Sequence, residues 1–407
     1  MLIKGLLRTM LCSVLLSATT AWAVEIHGRS STQIDWFNNL FNDNKQTEIS
    51  EYLQLNVTKI DSAGKFSIYG YGRGSQDMNN GDGLNGRLYY LYADYRGLFD
   101  KIDLRLGRQF VNIAAGSAII DGGKIEVNNF GPVALTVLGG RNVIFGLNGE
   151  LSHSGDYVFG VAGNLVGFKH TDLEMGYFAK WGAGTDGPVR ETLGASFKQY
   201  LFNSVKLYGN ARYDLYGEVF NEVLAGVKYF PMANLVLTGE WYQSYPTFDA
   251  DSIYAVFAVN RYQEGVFRAD YIINKMITVN AGYSRQNYGE DGNADVYEIG
   301  ARIRPIEPVM VHLSYDKRHG FNGSLDGGII DITYTATKEL ELAAGLQFDV
   351  YTREDIVTTG HEIARKYWGG AKYKLAKNSS ASVRVEDDVD RRFSSNWGGR
   401  VVFNQDF

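Results

Sequence analysis

The chain has 407 residues, 47 of them glycine and 6 proline, with 14% aromatics, a formal net charge of −6 and one cysteine. An acidic balance of this kind argues against nucleic acid as a partner. A lone cysteine excludes a disulfide framework, a thiolate metal cluster and covalent haem attachment.

The first element is not part of a fold. Lys4 and Arg8 precede an apolar run, Met10 to Ala18, and the small residues Ala21-Trp22-Ala23 follow. This plan predicts a cleavable secretory signal over residues 1–23, with cleavage near Val24. The apolar run is well short of the ~20 residues that a membrane anchor needs. Thr9-Met10-Leu11 also lack the small side chains of a lipid-attachment site at Cys12. Loss of the signal removes Cys12, and with Lys4 and Arg8 gone the net charge falls from −6 to −8. No later run reaches the ~18 apolar residues of a transmembrane helix.

From Ile26 onward, apolar and polar residues alternate strictly over short segments, the period of a strand with two unlike faces. Leu53–Thr58, Leu235–Trp241, Ile277–Tyr283, Tyr297–Ile303 and Leu340–Phe348 are clear cases. Short turns such as Asp61–Gly64, Gly97–Asp100, Phe202–Ser204, Ile306–Pro308 and Ala376–Asn378 take turns with longer Gly/Asp/Asn-rich links such as Asp77–Asn85 and Gly289–Asp295. A soluble sandwich has no reason to sort its connections by parity, whereas short turns at one end and longer loops at the other suit an outer-membrane barrel. The pattern predicts one all-β domain over 24–407, a transmembrane antiparallel up-and-down barrel of about 22 strands within roughly 18 to 24. That count takes Gly139–Gly155 and Tyr245–Asn260 as outer loops, although Asn142–Leu147 and Ile253–Val259 are strand-like.

A lipid-facing Arg or Lys near the bilayer midplane costs ~2–4 kcal/mol, so charges should gather on the other face. The alternation assigns to the lumen Arg73, Asp94, Arg96, Asp103, Arg105, Lys124, Glu126, Glu174, Lys180, Lys206, Arg212, Asp214, Glu240, Arg268, Asp270 and Glu298. Arg302, Arg304, Asp331, Glu341, Asp349, Lys372, Arg384, Glu386 and Arg400 complete the set. Signs are interleaved, which favours a solvated wall of cross-strand ion pairs, ~0.2–1 kcal/mol each, over a selective ring of one sign. Tyr89, Tyr95, Tyr177, Trp181, Tyr213, Trp241, Tyr271 and Tyr283 read as interface girdles. Tyr69, Tyr71, Tyr208 and Tyr242 fall on the charged parity, where packing competes with a sugar-stacking role.

No constellation of catalysis or cofactor binding emerges. Gly70–Gly74 lies inside a strand with no helix to hold a phosphate, and His361-Glu362 lacks the second His of a zinc-protease helix. Asp77–Asp82 and Gly289–Asp295 read as solvated turns rather than calcium loops. The expectation is a non-enzyme with no cofactor and no metal of its own.

The chain closes on Trp397–Phe407, with Val401, Phe403 and Phe407 on one face and Arg400, Asn404 and Asp406 on the other. This segment resembles the C-terminal strand of Gram-negative outer-membrane barrels, and the resemblance implies that Phe403 and Phe407 are read by the barrel assembly machinery. Leu104-Arg-Leu-Gly-Arg-Gln109 resembles the R-x-G-R-Q strand of porin-like and alginate-export-like barrels. In overall plan the chain resembles the barrel subunit of porin–cytochrome conduits, although the Cys-x-x-Cys of some such barrels is absent.

Two functions follow. One is a porin passing small hydrophilic solutes, with Val111–Ser117 and Gly139–Gly155 as candidates to narrow a barrel whose loops are short for reaching far inward. The other, implied by the conduit resemblance, is a sheath around periplasmic and outer-surface multihaem cytochromes, in which every haem belongs to the partner.

Overall fold

The computed structural model describes residues 24–38, 44–79, 83–146, 149–151, 155–249, 260–321, 323–352 and 361–407. The expected signal over 1–23 and the strand-like Ile253–Val259 lie outside them. The first strands are β1 (Glu25–Asn38), β2 (Lys45–Thr58), β3 (Phe66–Asp77), β4 (Asn85–Leu98), β5 (Ile102–Ile113), β6 (Gly116–Phe130) and β7 (Val133–Asn142). A small hairpin follows, β8 (Phe145–Gly146) and β9 (Gly149–Glu150), and then β10 (Tyr157–Phe168), β11 (Thr171–Trp181), β12 (Pro188–Leu201) and β13 (Val205–Asp214). The remaining strands run from β14 (Val219–Met232) to β24 (Asn396–Asp406).

All except β8 and β9 join one 22-stranded sheet in which sequence neighbours pair antiparallel. β7 pairs with β10, so the small hairpin stands apart from the wall, and β24 pairs back onto β1. Arg29 opposes Asp406 and Ile34 opposes Val401 across that seam. Gly28 and Phe407 exchange backbone hydrogen bonds of 2.8 and 3.0 Å, extending the seam to the last residue. The sheet is therefore a closed cylinder with no free edge to template aggregation. The count of about 22 holds, and Phe145–Gly146 of the strand-like Asn142–Leu147 stands outside the wall. β7 runs on to Asn142, so that connection starts at Val143 and not at Gly139.

Opposed residues in an antiparallel ladder share a face, so register sorts the side chains. Leu104, Leu106 and Ile125 lie on one face, as do Phe267, Tyr283 and Tyr297, and then Val383, Val401 and Phe403. Many are open to the surroundings: Leu106 is 53% exposed and Ile299 57%. Exposed apolar area on this scale marks a surface that meets something other than water.

The division has exceptions that alternation alone missed. Glu51, at apolar parity in the middle of β2, opposes Thr32 and Gly74. Its carboxylate accepts hydrogen bonds from Ser30 Oγ at 2.5 Å and Thr32 Oγ1 at 2.6 Å. Arg285 with Asp295, and Lys317 with Asp326, also break the rule, near the loop ends of their strands, as ion pairs of 3.5 and 3.4 Å.

Candidate functional site

Register joins the charges of the sequence reading on a single face. Asp94 is buried, with Arg96 at 2.7 Å and Arg105 at 3.1 Å. Arg73 binds Glu48 and also Ser50 Oγ at 3.0 Å. Lys124 meets Glu126 at 2.8 Å, and Asp103 accepts from Gly97 N–H and Asn128. Arg268 stands 3.9 Å from Glu240 and 3.8 Å from Glu298, with Asp270 opposite Asn280. Lys206 lies over the rings of Tyr200 and Tyr208, and Tyr208 donates to Glu240. Arg384 meets Glu386 at 3.4 Å, and Arg400 binds Asp35 across the seam. Asp349 accepts from Gln347 at 2.7 Å. Lys180 opposes Arg190, Arg302 opposes His312, Asp331 opposes the same histidine, and Glu341 opposes Lys372. Arg304 lies beside the short turn at Ile306–Pro308, and its N–H donates to Met276 O at 2.7 Å. Most of these pairs sit at the exposure where an ion pair adds about 0–1 kcal/mol, so they form a wall rather than a stabilising core.

One segment departs from the wall. β5 pairs with β4 only as far as Arg108 opposite Leu91, and β6 pairs with β7 only as far as Ile120 opposite Asn142. Beyond those points β5 and β6 stay paired with each other, down to Ile113 opposite Gly116. Their tip crosses the charged face to β11, β12 and β13. Ala114 N–H donates to the Glu174 carboxylate. Thr192 Oγ1 donates to Ala115 O at 2.6 Å, and Arg212 Nε donates to Ala114 O at 3.2 Å. Arg212 is itself held by Glu222 at 3.0 Å. Ala114 N–H, Ala114 O and Ala115 O at the tip thus each find a partner, as buried peptide groups must.

Apolar packing supplies most of the hold. Val111, Ile113, Ala115 and Ile120 of the hairpin gather with Leu138, Val158, Ala162 and Phe178 of the wall into one buried cluster. Full burial of a Val, Ile, Leu or Phe side chain contributes about 1.5–3 kcal/mol, well beyond what a surface ion pair offers. Gly194 makes the close approach possible: a methyl on its Cα would lie 2.3 Å from the backbone of Ala114 and Ala115. The other side of the hairpin presents Phe110, Asn112 and Ser117 as exposed residues.

The departure leaves Asn85 to Tyr90 of β4 without a partner from β5, and the β7–β10 connection covers that stretch. Arg87 Nη2 donates to Gly146 O at 2.7 Å, and Phe145 meets the Tyr89 ring edge-on at 5.9 Å. Arg108 ties the bend to this cover, binding Asp121 at 2.7 Å and Leu88 O at 3.2 Å together with the Glu150 carboxylate. Arg108 and Asp121 follow the apolar parity, yet Arg108 is mostly buried beneath Glu150, which removes the penalty of a bare charge. Of the two candidates for narrowing, Val111–Ser117 and Gly139–Gly155, the first is thus joined to Glu150 of the second through Arg108 at the bend. Length of loop was the wrong measure of reach, because the arms of a regular hairpin do the reaching.

Tyr89 also corrects the girdle reading. A bulge between Tyr71 and Gly72 lets both Tyr89 and Tyr90 face Tyr71 of the charged face, so Tyr89 belongs to that face. Among the described residues no group of three or more His, Cys, Asp and Glu side chains is placed to hold a metal ion.

Comparison with solved structures shows the barrel. The chain is similar to a mutant form of the ferric enterobactin receptor PfeA from Pseudomonas aeruginosa, with TM-score 0.62 and 12% identity, covering 96% of this chain and 81% of that one. It is also similar to OpdQ from Pseudomonas aeruginosa, with TM-score 0.47 and 11% identity over 94% of this chain and 99% of that one. Acinetobacter baumannii OccAB1 gives TM-score 0.45 and 11% identity, over 94% and 96% of the two chains. Likeness at such identities concerns the fold and not the activity. No protein-family model matches the chain, and no curated protein matches it in sequence.

Proposed function

We propose that this chain is an outer-membrane channel passing small hydrophilic solutes through a passage narrowed by the β5–β6 hairpin. The observation that carries this reading is the hairpin's attachment to β11, β12 and β13. Those strands stand three to five places from β6 along the wall. The tip's partners Glu174, Thr192 and Arg212 all lie on the charged face, while the opposite face exposes large apolar side chains such as Leu106, Phe267 and Ile299, as a lipid-facing surface must. The charged face is then the inner one, and the apolar face meets hydrocarbon. Barrels of ~16–18 strands already leave an aqueous channel, so a cylinder of 22 strands has space to spare for a constriction.

The same hairpin weighs against a sheath around a multihaem cytochrome. A guest threaded through the barrel would compete with the tip for space and would have to expose the cluster around Val111 and Phe178. The terminal strand fits the role of an assembly signal, since Phe403 is presented on the lipid side and Phe407 completes the seam.

Planar-bilayer recording of the purified barrel tests the reading. The wild type should open in discrete ohmic steps, and replacing Val111–Ser117 with a short turn should enlarge each step. A barrel that inserts without conducting removes the channel, and a haem-staining protein that co-purifies in equal amount replaces it with the sheath.

A further inference from the structure

We propose that Tyr52, Tyr69, Tyr71, Tyr89, Tyr90 and Tyr92 form a binding track for a linear, uncharged oligosaccharide. The proposal rests on the charged face being the wall of the passage. The six rings form one continuous system. Tyr69 meets Tyr92 at 5.2 Å, Tyr92 meets Tyr90 at 5.7 Å, and Tyr90 meets Tyr71 at 5.7 Å between ring centroids. Tyr71 then stacks on Tyr89 at 5.0 Å and on Tyr52 at 6.3 Å, with interplanar angles of 23° and 22°. Tyr69, Tyr71, Tyr90 and Tyr92 occupy matched positions on β3 and β4, so the rings climb along the strands.

A wall bathed in water gains nothing by gathering six aromatic rings, since its other side chains here are ion pairs. The rings are partly buried but none is fully enclosed, so packing against one another has not hidden them. They lie beside the place where β5 leaves β4, next to the narrowed part of the passage. Aromatic faces edged by planar hydrogen-bonding groups suit a pyranose ring, which has an apolar C–H face and a rim of hydroxyls. The edging is present. The Arg105 guanidinium lies 4.5 Å from the Tyr92 ring centre and that of Arg73 lies 5.5 Å from Tyr52. Gln54 Nε2 donates to Tyr90 Oη at 3.3 Å.

The charges of the rim point to an uncharged ligand. Arg73 is bound to Glu48, and Arg105 and Arg96 share Asp94. Cations already engaged with carboxylates keep their directional N–H groups, and they offer little net attraction to an anion. A bulge at Tyr89 and Tyr90 puts consecutive residues on the same side, a departure from alternation of the kind that re-aims side chains at working sites.

Maltohexaose is the probe. Added to a conducting wild-type barrel in a planar bilayer, it should interrupt the current reversibly and in proportion to concentration. Tyr71→Ala and Tyr90→Ala should each weaken that block about tenfold, the scale of one lost aromatic platform, with open conductance preserved. Tyr71→Phe should keep the block, which a role confined to the phenolic hydroxyl would not allow. Calorimetric titration of the purified barrel with maltohexaose separates the two claims. Binding without conductance leaves the track standing and overturns the channel. A conducting barrel that maltohexaose neither blocks nor binds, or one whose block survives Tyr71→Ala with Tyr90→Ala, overturns the track.

Discussion

Gly194 lies directly beneath Ala114, with room for a hydrogen and for nothing larger: a methyl there would sit 2.3 Å from the Ala114 carbonyl carbon and oxygen. Backbone cannot step aside as a flexible side chain can. Gly194→Val should therefore lift the hairpin from β12 while the wall pairing around it persists. Single-channel steps should grow and become noisier, and steps of wild-type size would show that the tip does not narrow the passage.

Thr192→Val keeps the shape of the side chain and deletes the hydrogen bond to Ala115 O. A bond of this kind contributes ~0.5–1.5 kcal/mol, against several buried apolar side chains that remain in place. The hairpin should stay docked but open more often, with backbone amides of residues 111–118 exchanging about three- to tenfold faster. Exchange equal to wild type would mean that packing alone fixes the tip.

Neighbouring residues on β5 make the two faces testable in one experiment. Leu104→Arg places a cation among Ile125 and Tyr95, at a cost of ~2–4 kcal/mol if it lies near the midplane. Arg105→Leu leaves Asp94 still paired with Arg96. Assembly, read as folded-barrel mobility on a gel, should suffer more from Leu104→Arg, and equal defects would count against the assignment of faces.

At the seam, two substitutions a residue apart should behave differently. Arg29 and Asp406 are both about half exposed, so Asp406→Asn should change stability by no more than about 1 kcal/mol. Gly28→Val would push a side chain into the Phe407 ring at 2.4 Å and Gln54 O at 2.5 Å. Closure should fail in that variant alone, and a heat-resistant folded band for Gly28→Val would refute the seam geometry.

A pH effect is expected at the turn between β2 and β3. The N–H of Phe66, and then that of Lys65, donate to Asp61 Oδ1 at 2.8 and 2.7 Å and hold its carboxyl below the usual aspartate range. A lowered value means that the benefit is present above the ordinary value, near 3.9, and is lost as pH falls through the lowered one. Asp61→Asn should flatten the acid side of the stability curve between about pH 5 and pH 2. An unchanged acid limb in thermal unfolding would show that the turn does not depend on the charge.

Much of this architecture was legible because lipid and water make opposite demands on adjacent side chains. Ile102-Asp103-Leu104-Arg105 declares both faces in four letters, and the strand count followed from turns such as Asp61–Gly64. What stayed hidden was any feature that keeps the alternation while changing its meaning. Val111 and Ile113 alternate with Asn112 as in an ordinary wall strand, and nothing local says that their partners lie on β10 and β11. Tyr89-Tyr90 gave a small clue, since two adjacent rings cannot both obey a period of two. Glu51 gave a plainer one, an acid at apolar parity whose hydroxyl partners, Ser30 and Thr32, come from a different strand.

The meeting of Arg29 with Asp406 spans 377 positions of sequence. No hairpin formed earlier can complete the cylinder, so every shorter intermediate is a curved ribbon with two raw borders and an oily back. Such a ribbon needs shelter until its last segment docks, and a nascent chain stalled anywhere before β24 is a candidate for sticking to its neighbours. Closure is thus the one late event on which both solubility in transit and permanence afterwards depend.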